Sequence, residues 1–436
     1  MKNTILKDFC KYVSTNIIGT LGISFYILAD TYFISNKLGA NGLTALNFSI
    51  VVFSLIFGFG LMVGMGAAIK FSIANKKSTD EKDDSFTLAV LWWALGSAVA
   101  LVCAVFFSGS ISTILGADET ILPLCQVYVK TILFFAPFFI FNNIMLAFVR
   151  NDNRPDLAMA AMFISSLSNV VLDYILLYIF EMGMFGAAFA TCLSPIISMS
   201  IMSIHLIKKK NTFHLYKVKI KLKSMLKICS LGATFFITEV SIGIALFVFN
   251  LIILGLQGNI GVAAYGVVAN TAIVAVSVFS GISQGTQPLF SAYCAKGELS
   301  NVRKIFKYSV FTCLGFAAVI IAITNIFSLQ IISVFNEENS ETLAILANEG
   351  MKLYFIGYSF ASLNILISSF LSAVSKPNQG IMISISRSLL VLIPVVFVLS
   401  HWFEMSGIWL SFFVSEAIVF APSIFICVRF FRKNKT

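Results

Sequence analysis

The sequence predicts an all-α polytopic membrane protein: twelve transmembrane helices in two six-helix lobes, related by a pseudo-twofold axis along the membrane normal. Three observations predict it. Of 436 residues, 58% are hydrophobic and only 11% charged, whereas soluble domains carry about 25% charged residues and about 45–50% apolar ones. A soluble chain so apolar would have no surface to present to water. Apolar runs of about 20 residues, enough to cross a hydrocarbon core of about 30 Å, recur along the whole sequence. Finally, the second half of the chain repeats the first.

Marking apolar runs between charged or Gly/Asn-rich breaks predicts spans at 11–35, 43–71, 86–107, 123–149, 157–180, 184–207, 225–254, 262–291, 303–326, 343–374, 379–400 and 405–431. Strands are excluded, because open sheet edges cannot lie in lipid and these runs are far longer than barrel strands. Met1 to Lys11 is a short charged lead-in without a small-residue cleavage site after it, so no cleavable signal peptide is expected.

Lys and Arg set the orientation. One group of connections holds Lys76, Lys77 and Lys82, then Arg150 and Arg154, then the run KKKNTFHLYKVKIKLK at 208–223. Lys296, Arg303, Lys304 and Lys376 belong to the same group, as do Lys2, Lys7, Arg432, Lys433 and Lys435 at the termini. The opposite connections carry Lys37 alone, beside Asp118, Glu119, Glu181, Glu337, Glu338 and Glu341. The positive-inside rule puts both termini in the cytoplasm, in a multi-pass protein of the plasma membrane. The net charge of +10 therefore reflects topology and contact with anionic lipid, with no nucleic-acid partner expected. The eight cysteines are scattered, form no CxxC and lie near no histidine, so neither a zinc site nor a disulfide framework is expected.

The repeat is visible in short matches. GANGLTA at 39–45 returns as GNIGVAA at 258–264, and FGLMVGMGAAIKFSIA at 59–74 as SGISQGTQPLFSAYCA at 280–295. MGMFGAAFAT at 182–191 answers MSGIWLSFFV at 405–414, and Pro155 answers Pro377. Matched positions lie 219 to 222 residues apart. Each half holds six spans; six is even, so both copies enter the membrane from the same side. The expected plan is a lobe at 1–207, a basic cytoplasmic linker at 208–224, a second lobe at 225–436 and a cavity between the lobes, which is a transporter plan.

An ionisable residue inside a span costs about 2.5–3.5 kcal/mol on insertion scales and marks a functional site by default. The deep candidates are Asp30, Asp173, Glu239, Arg387 and Glu416. Lys130 and Lys352, near span ends, can snorkel. At a rise of about 1.5 Å per residue, Asp173 and Thr191 lie about 24 Å from the cytoplasmic end of their spans and Asp30 about 28 Å. Asn169 is four residues from Asp173, and Tyr26 four from Asp30, so each pair shares a helix face. Pro195 cannot donate to the carbonyl of Thr191 and leaves that oxygen free. Two readings stay open for this cluster: a site for Na⁺ or a shared proton, or an interhelical hydrogen-bond cluster that only packs the lobe. Glu239 and Glu416, about 21–23 Å up by the same count, are candidates to attract a cationic substrate; Arg387 either joins them or neutralises Glu416. Asn143 is a further cavity candidate, and 44 Phe with 14 Met allow an adaptable apolar cavity.

These residues carry a resemblance. LADTYFISNKLGANGLTALN, RNDNRPDLAM, SNVVLDYIL with MGMFGAAFAT, GISQGTQPLFSAYCAKG, SRSLLVLIPVV and GIWLSFFVSEAI, in this order and over nearly the whole chain, resemble the multidrug and toxic compound extrusion (MATE) family, in the branch of DinF-like and MepA-like proteins. The resemblance implies efflux of cationic, amphipathic drugs or dyes against inward flow of H⁺ or Na⁺, with no other cofactor and as a monomer. It implies a cation site on Asp30, Asn169, Asp173 and Thr191, with Tyr26 beside it, and matches Glu239 to an acid found in many relatives. Two departures stand out: Ser362 occupies the place of the NorM-branch aspartate in span 10, and Thr15 replaces a proline of some relatives, leaving Gly19 and Gly22 to loosen the first helix. The alternatives are a lipid-linked saccharide flippase of the same superfamily, which should line its cavity with Arg and Lys, and a membrane enzyme. His205, His214 and His401 lie near span ends or in loops without HExxH or a comparable motif, which speaks against an enzyme.

Overall fold

The computed structural model describes residues 2–74, 84–117, 119–209, 211–217, 221–335 and 340–433, which are helical with short connections and contain no strand. Lys76, Lys77, Lys82, Asp118, Lys210, Lys219, Glu337, Glu338 and Lys435, used above to orient the chain, lie outside the described residues. Among the described residues eleven helices are long and apolar enough to cross a membrane. They are α1 (Ile5–Gly39), α2 (Asn41–Ala74), α3 (Ser85–Ile114), α4 (Leu122–Asn151), α5 (Pro155–Ile179), α6 (Gly183–Ile207), α7 (Leu222–Gly258), α8 (Ile260–Ala295), α9 (Leu299–Ile326), α10 (Glu341–Ala373) and Pro377–Arg432. The last is broken at Glu404, where φ is 48° and ψ −126°, and so supplies α11 (377–403) and α12 (405–432). Each predicted span corresponds to one of these twelve helices.

The helices overrun the predicted spans by a few residues, because polar residues at the membrane edge continue the hydrogen-bonded turns. The largest difference lies between α1 and α2. The stretch 36–42 is not a loop; one residue, Gly39, turns the chain at φ 66° and ψ −161°. Gly258 does the same between α7 and α8 at φ 61° and ψ −153°. This region of torsion space is essentially open to glycine alone. A methyl group on either residue would meet nothing within 4 Å, so torsion, not space, requires the glycine.

The repeat extends to other corners. Asp152, Asn153 and Arg154 follow α4 with φ of −89°, 63° and −121°. Val374, Ser375 and Lys376 follow α10 with −94°, 63° and −117°. Pro155 and Pro377 then open the next helices, where a missing N–H leaves no bond unmade.

The chain divides into two compact units, residues 10–240 and residues 241–436 with 1–9. In the first, α2 and the start of α7 meet at backbone distance. A methyl group on Gly66 would lie 2.0 Å from the Ile228 carbonyl oxygen, and one on Gly232 would lie 1.9 Å from that of Met62. Leu61, Met65, Ala68, Ile69, Ala147, Leu231 and Phe235 form a buried apolar cluster around this contact, and Trp92 Nε1 donates to the Met225 carbonyl at 3.2 Å. Gly232→Ala should therefore force the helices apart and lower thermal stability in detergent by about 1–3 kcal/mol, the range for overpacking. Gly243→Ala on the same helix, where a methyl meets nothing within 4 Å, should leave the melting temperature unchanged or slightly raised. Equal melting of the two variants would contradict this packing.

The second unit is held by aromatic contacts. Phe306, Phe370 and Phe431 pack with ring centroids 4.9–5.5 Å apart, and Tyr354 stacks on Phe412 at 4.4 Å.

Candidate cation-binding site

Two helix faces build the site. Along α1, Gly19, Gly22, Tyr26 and Asp30 recur at intervals of three, four and four residues and so share one face. Along α5, Met162, Ser166, Asn169 and Asp173 do likewise. The glycines let the two faces meet: a methyl on Gly19 would lie 3.0 Å from Met162 Sδ, and one on Gly22 3.4 Å from Ser166 Oγ. Their role in the structure is thus to bring α1 against α5. Beyond the acids, Lys37 Nζ donates to Glu181 Oε1 at 2.8 Å, and Tyr178 donates to Asn36 Oδ1 at 3.1 Å. These contacts tie the end of α1 to the end of α5 and the α5–α6 corner. The Lys37 hydrogen bond and charge hold the Glu181 carboxyl below its ordinary range.

Asn169, Asp173 and Thr191 are in direct contact. With its amide oriented as its neighbours require, Asn169 donates from Nδ2 to Asp173 Oδ2 at 3.1 Å and accepts at Oδ1 from the Thr191 N–H at 3.2 Å. Asp30 lies within electrostatic reach of Asp173, and Tyr26 within reach of both acids and of Glu239. The structure therefore gathers all five predicted residues, none more than 8% exposed. Glu239 joins this group at the edge of the first unit; Gly58 of α2 makes room for it, a methyl there lying 3.4 Å from Glu239 Cβ.

Tyr128 of α4 completes the cluster, interacting with Thr191 and lying within reach of Asp30 and Asp173. It is not legible in the sequence, because a phenol in an apolar span has no signature that separates it from packing aromatics. Equally invisible was the π-helical segment Ile175–Ile179, which begins two residues after Asp173; such segments are frequent at functional sites.

The chemistry follows from what is left unpaired. Oδ1 of Asp30 and Oδ1 of Asp173 are buried without a hydrogen-bond partner among the described residues. A buried acceptor left alone costs about 1–3 kcal/mol, more when charged. Two buried carboxylates within electrostatic reach of each other would be relieved by a cation or a proton in their company. Among the described residues no three His, Cys, Asp or Glu side chains are grouped to hold a metal ion. An ion here would draw on carboxylate, amide and hydroxyl oxygens, a hard donor set that suits Na⁺.

The second unit presents a different arrangement. Arg387, within the π-helical segment Ser386–Leu390 of α11, donates from Nε to Glu416 Oε1 at 3.0 Å and also from Nη2. Asn364 of α10, not foreseen, donates to Glu416 Oε2 at 2.7 Å and to its backbone carbonyl at 2.9 Å. Arg387 is thus ion-paired with Glu416. Asn143 donates to the Phe139 carbonyl of its own helix at 3.2 Å and packs against Gly60 and Gly64 of α2.

Comparisons with known proteins agree with this architecture. The MatE family model matches residues 16–175 and 235–398, two stretches that begin one repeat length apart. The chain is similar to the multidrug export protein MepA of Staphylococcus saprophyticus, 24% identical over 420 residues, which cover 96% of this chain and 92% of that protein. MepA of Staphylococcus aureus strain MRSA252 is 27% identical over 434 residues with the same coverage. Among solved structures, the outward-facing conformation of a multidrug resistance MATE family transporter of the MOP superfamily superposes with a TM-score of 0.87 at 18% identity, over 98% of this chain and 96% of that one. A MOP superfamily transporter from Pyrococcus furiosus, whose binding pocket of reverse polarity suggests a different function, also gives 0.87 at 18% identity, over 99% and 96%.

Proposed function

We propose, from the premise that this chain belongs to the MATE family, that it is a multidrug exporter of the plasma membrane, driving cationic amphipathic compounds outward by antiport with H⁺ or Na⁺. The observation that carries this reading is the pair of buried carboxylates, Asp30 and Asp173, each with one oxygen unpartnered. The lobes, 1–207 and 225–436, joined by the basic linker 208–224, alternate between outward- and inward-open forms, with both termini cytoplasmic and the protein acting as a monomer. A cation arriving from outside occupies the Asp30/Asp173 cluster and shifts the equilibrium by its differential affinity for the two forms. Cargo and ion then need not touch; favouring opposite forms is sufficient. Cationic cargo is preferred over an anionic lipid head because Arg387 is committed to Glu416.

The test is exchange in proteoliposomes loaded with ethidium, with a Na⁺ gradient and a pH gradient imposed separately. Ethidium movement driven by at least one gradient is expected. Movement that follows neither gradient would remove the antiport.

A further inference from the structure

The stretch RNDNRPDLAM has no part in the cation site. Its Asp152 closes α4, and two groups from distant sequence converge on its carboxylate. His205, in the last turn of α6, brings Nε2 to 2.7 Å from Asp152 Oδ2; a carboxylate only accepts, so this nitrogen carries the proton. Thr212 donates its backbone N–H to Oδ2 at 3.0 Å and its hydroxyl to Oδ1. The His205 and Asp152 side chains are 2% and 3% exposed. Beside them the buried ring of Phe213 packs against Phe86 at 4.8 Å and Phe148 at 5.2 Å between centroids. Further on, Tyr216 donates its N–H to Thr87 Oγ1 at 3.0 Å. Segment 211–217 has no regular secondary structure, yet it is held at three points on the ends of α3, α4 and α6.

The repeat separates what the polar pair adds from what packing needs. Val374 stands at the position matching Asp152, buried and with nearly the same backbone angles. The turn of α12 that matches His205 holds Ile426 and Cys427. Apolar side chains are therefore sufficient to close this corner where the following helix simply runs on to Arg432. The carboxylate and imidazole occur at the copy where the chain leaves the helix and folds back. A buried carboxylate is costly unless its acceptor sites are filled, and two of the three donors that fill them come from Thr212. Pulling the segment away would leave the buried carboxylate with His205 as its one remaining partner among these donors, which favours retention of the segment.

We propose that Asp152 is a positioning residue for transport: through Thr212 it fastens the segment joining the two halves to the first unit, so that α7 is entered from a fixed point in every form of the transport cycle. The proposal rests on the exporter reading. Its test compares the parent protein with Asp152→Ala, Asp152→Asn and Thr212→Pro in proteoliposomes, following trypsin cleavage at Lys208, Lys209 and Lys217, ethidium exchange and equilibrium ethidium affinity. Thr212→Pro removes both linker donors at an exposed position and leaves Asp152 and His205 paired, so it reports even where Asp152→Ala does not fold. For Thr212→Pro and Asp152→Ala, cleavage at least tenfold faster, exchange at least fivefold slower and affinity within twofold of the parent are expected. Asp152→Asn, which keeps an oxygen for Thr212, should fall between. Unchanged cleavage in Thr212→Pro, faster cleavage with unchanged exchange, or affinity lost in step with exchange would each overturn the proposal. A parent protein that moves no ethidium would instead sink the exporter reading, while the cleavage rates still judge the fastening.

Discussion

Asp30→Asn should reduce gradient-driven ethidium export at least tenfold while the protein remains folded and melts no lower than the parent. The two halves of this expectation have one cause. Asp30 is 5% exposed and its Oδ1 has no partner among the described residues, so in the protein alone the charge is a burden rather than a bond. Asparagine has nearly the same shape and removes that burden, and a variant lacking a buried unpaired charge loses nothing in stability. Coupling, in contrast, requires the cation to prefer one form of the protein over the other. A tenfold loss corresponds to about 1.4 kcal/mol of that preference, well within what one carboxylate contributes to holding a positive ion in a dry site. Efflux from cells expressing each protein, with melting of the purified proteins, checks both halves. Efflux equal to the parent would remove Asp30 from the coupling role; lost efflux with a collapsed melting curve would make the cluster structural.

Glu416→Leu should destabilise the second unit by about 3–5 kcal/mol, the cost of leaving a buried ion without its partner. Arg387 and Glu416 side chains are only 10% and 2% exposed, so the stranded guanidinium cannot recover its hydration. Arg387→Met should cost less, because Asn364 still donates to the carboxylate. The double variant should melt well above Glu416→Leu alone, since an apolar pair of similar volume avoids both desolvation costs. Denaturation of the three variants gives the coupling by a double-mutant cycle. A Glu416→Leu protein within about 1 kcal/mol of the parent would contradict a structural pair and return Glu416 to the candidates for cargo attraction.

Much of this architecture is legible in the sequence because the membrane enforces it. Apolar runs must be helices, so the twelve spans follow, and a polar side chain at depth is costly enough to announce itself, so Asp30, Asn169, Asp173 and Thr191 can be assembled from helical spacing and height alone. What the sequence does not disclose is which neighbour a side chain meets. Glu239 and Glu416 have similar depth, yet one joins Tyr26 and the other binds Arg387 and Asn364; height carries no information about direction. Tyr128 hides among aromatic residues that only pack. Asp152 and Thr212 are 60 residues apart in polar stretches that look like ordinary loops, and only the folded chain reveals that one holds the other.

The corner at Gly39 has a mechanical meaning. Ordinary loops contain slack, and a helix can slide or spin at one end of a loop without disturbing the helix at the other. A corner made by one residue has two soft torsions and no spare length. Inserting one amino acid there would turn α2 by about 100° about its axis and swing its inward face aside. Rotation of α1 is thereby geared to α2, and the same gearing recurs at Gly258 for α7 and α8.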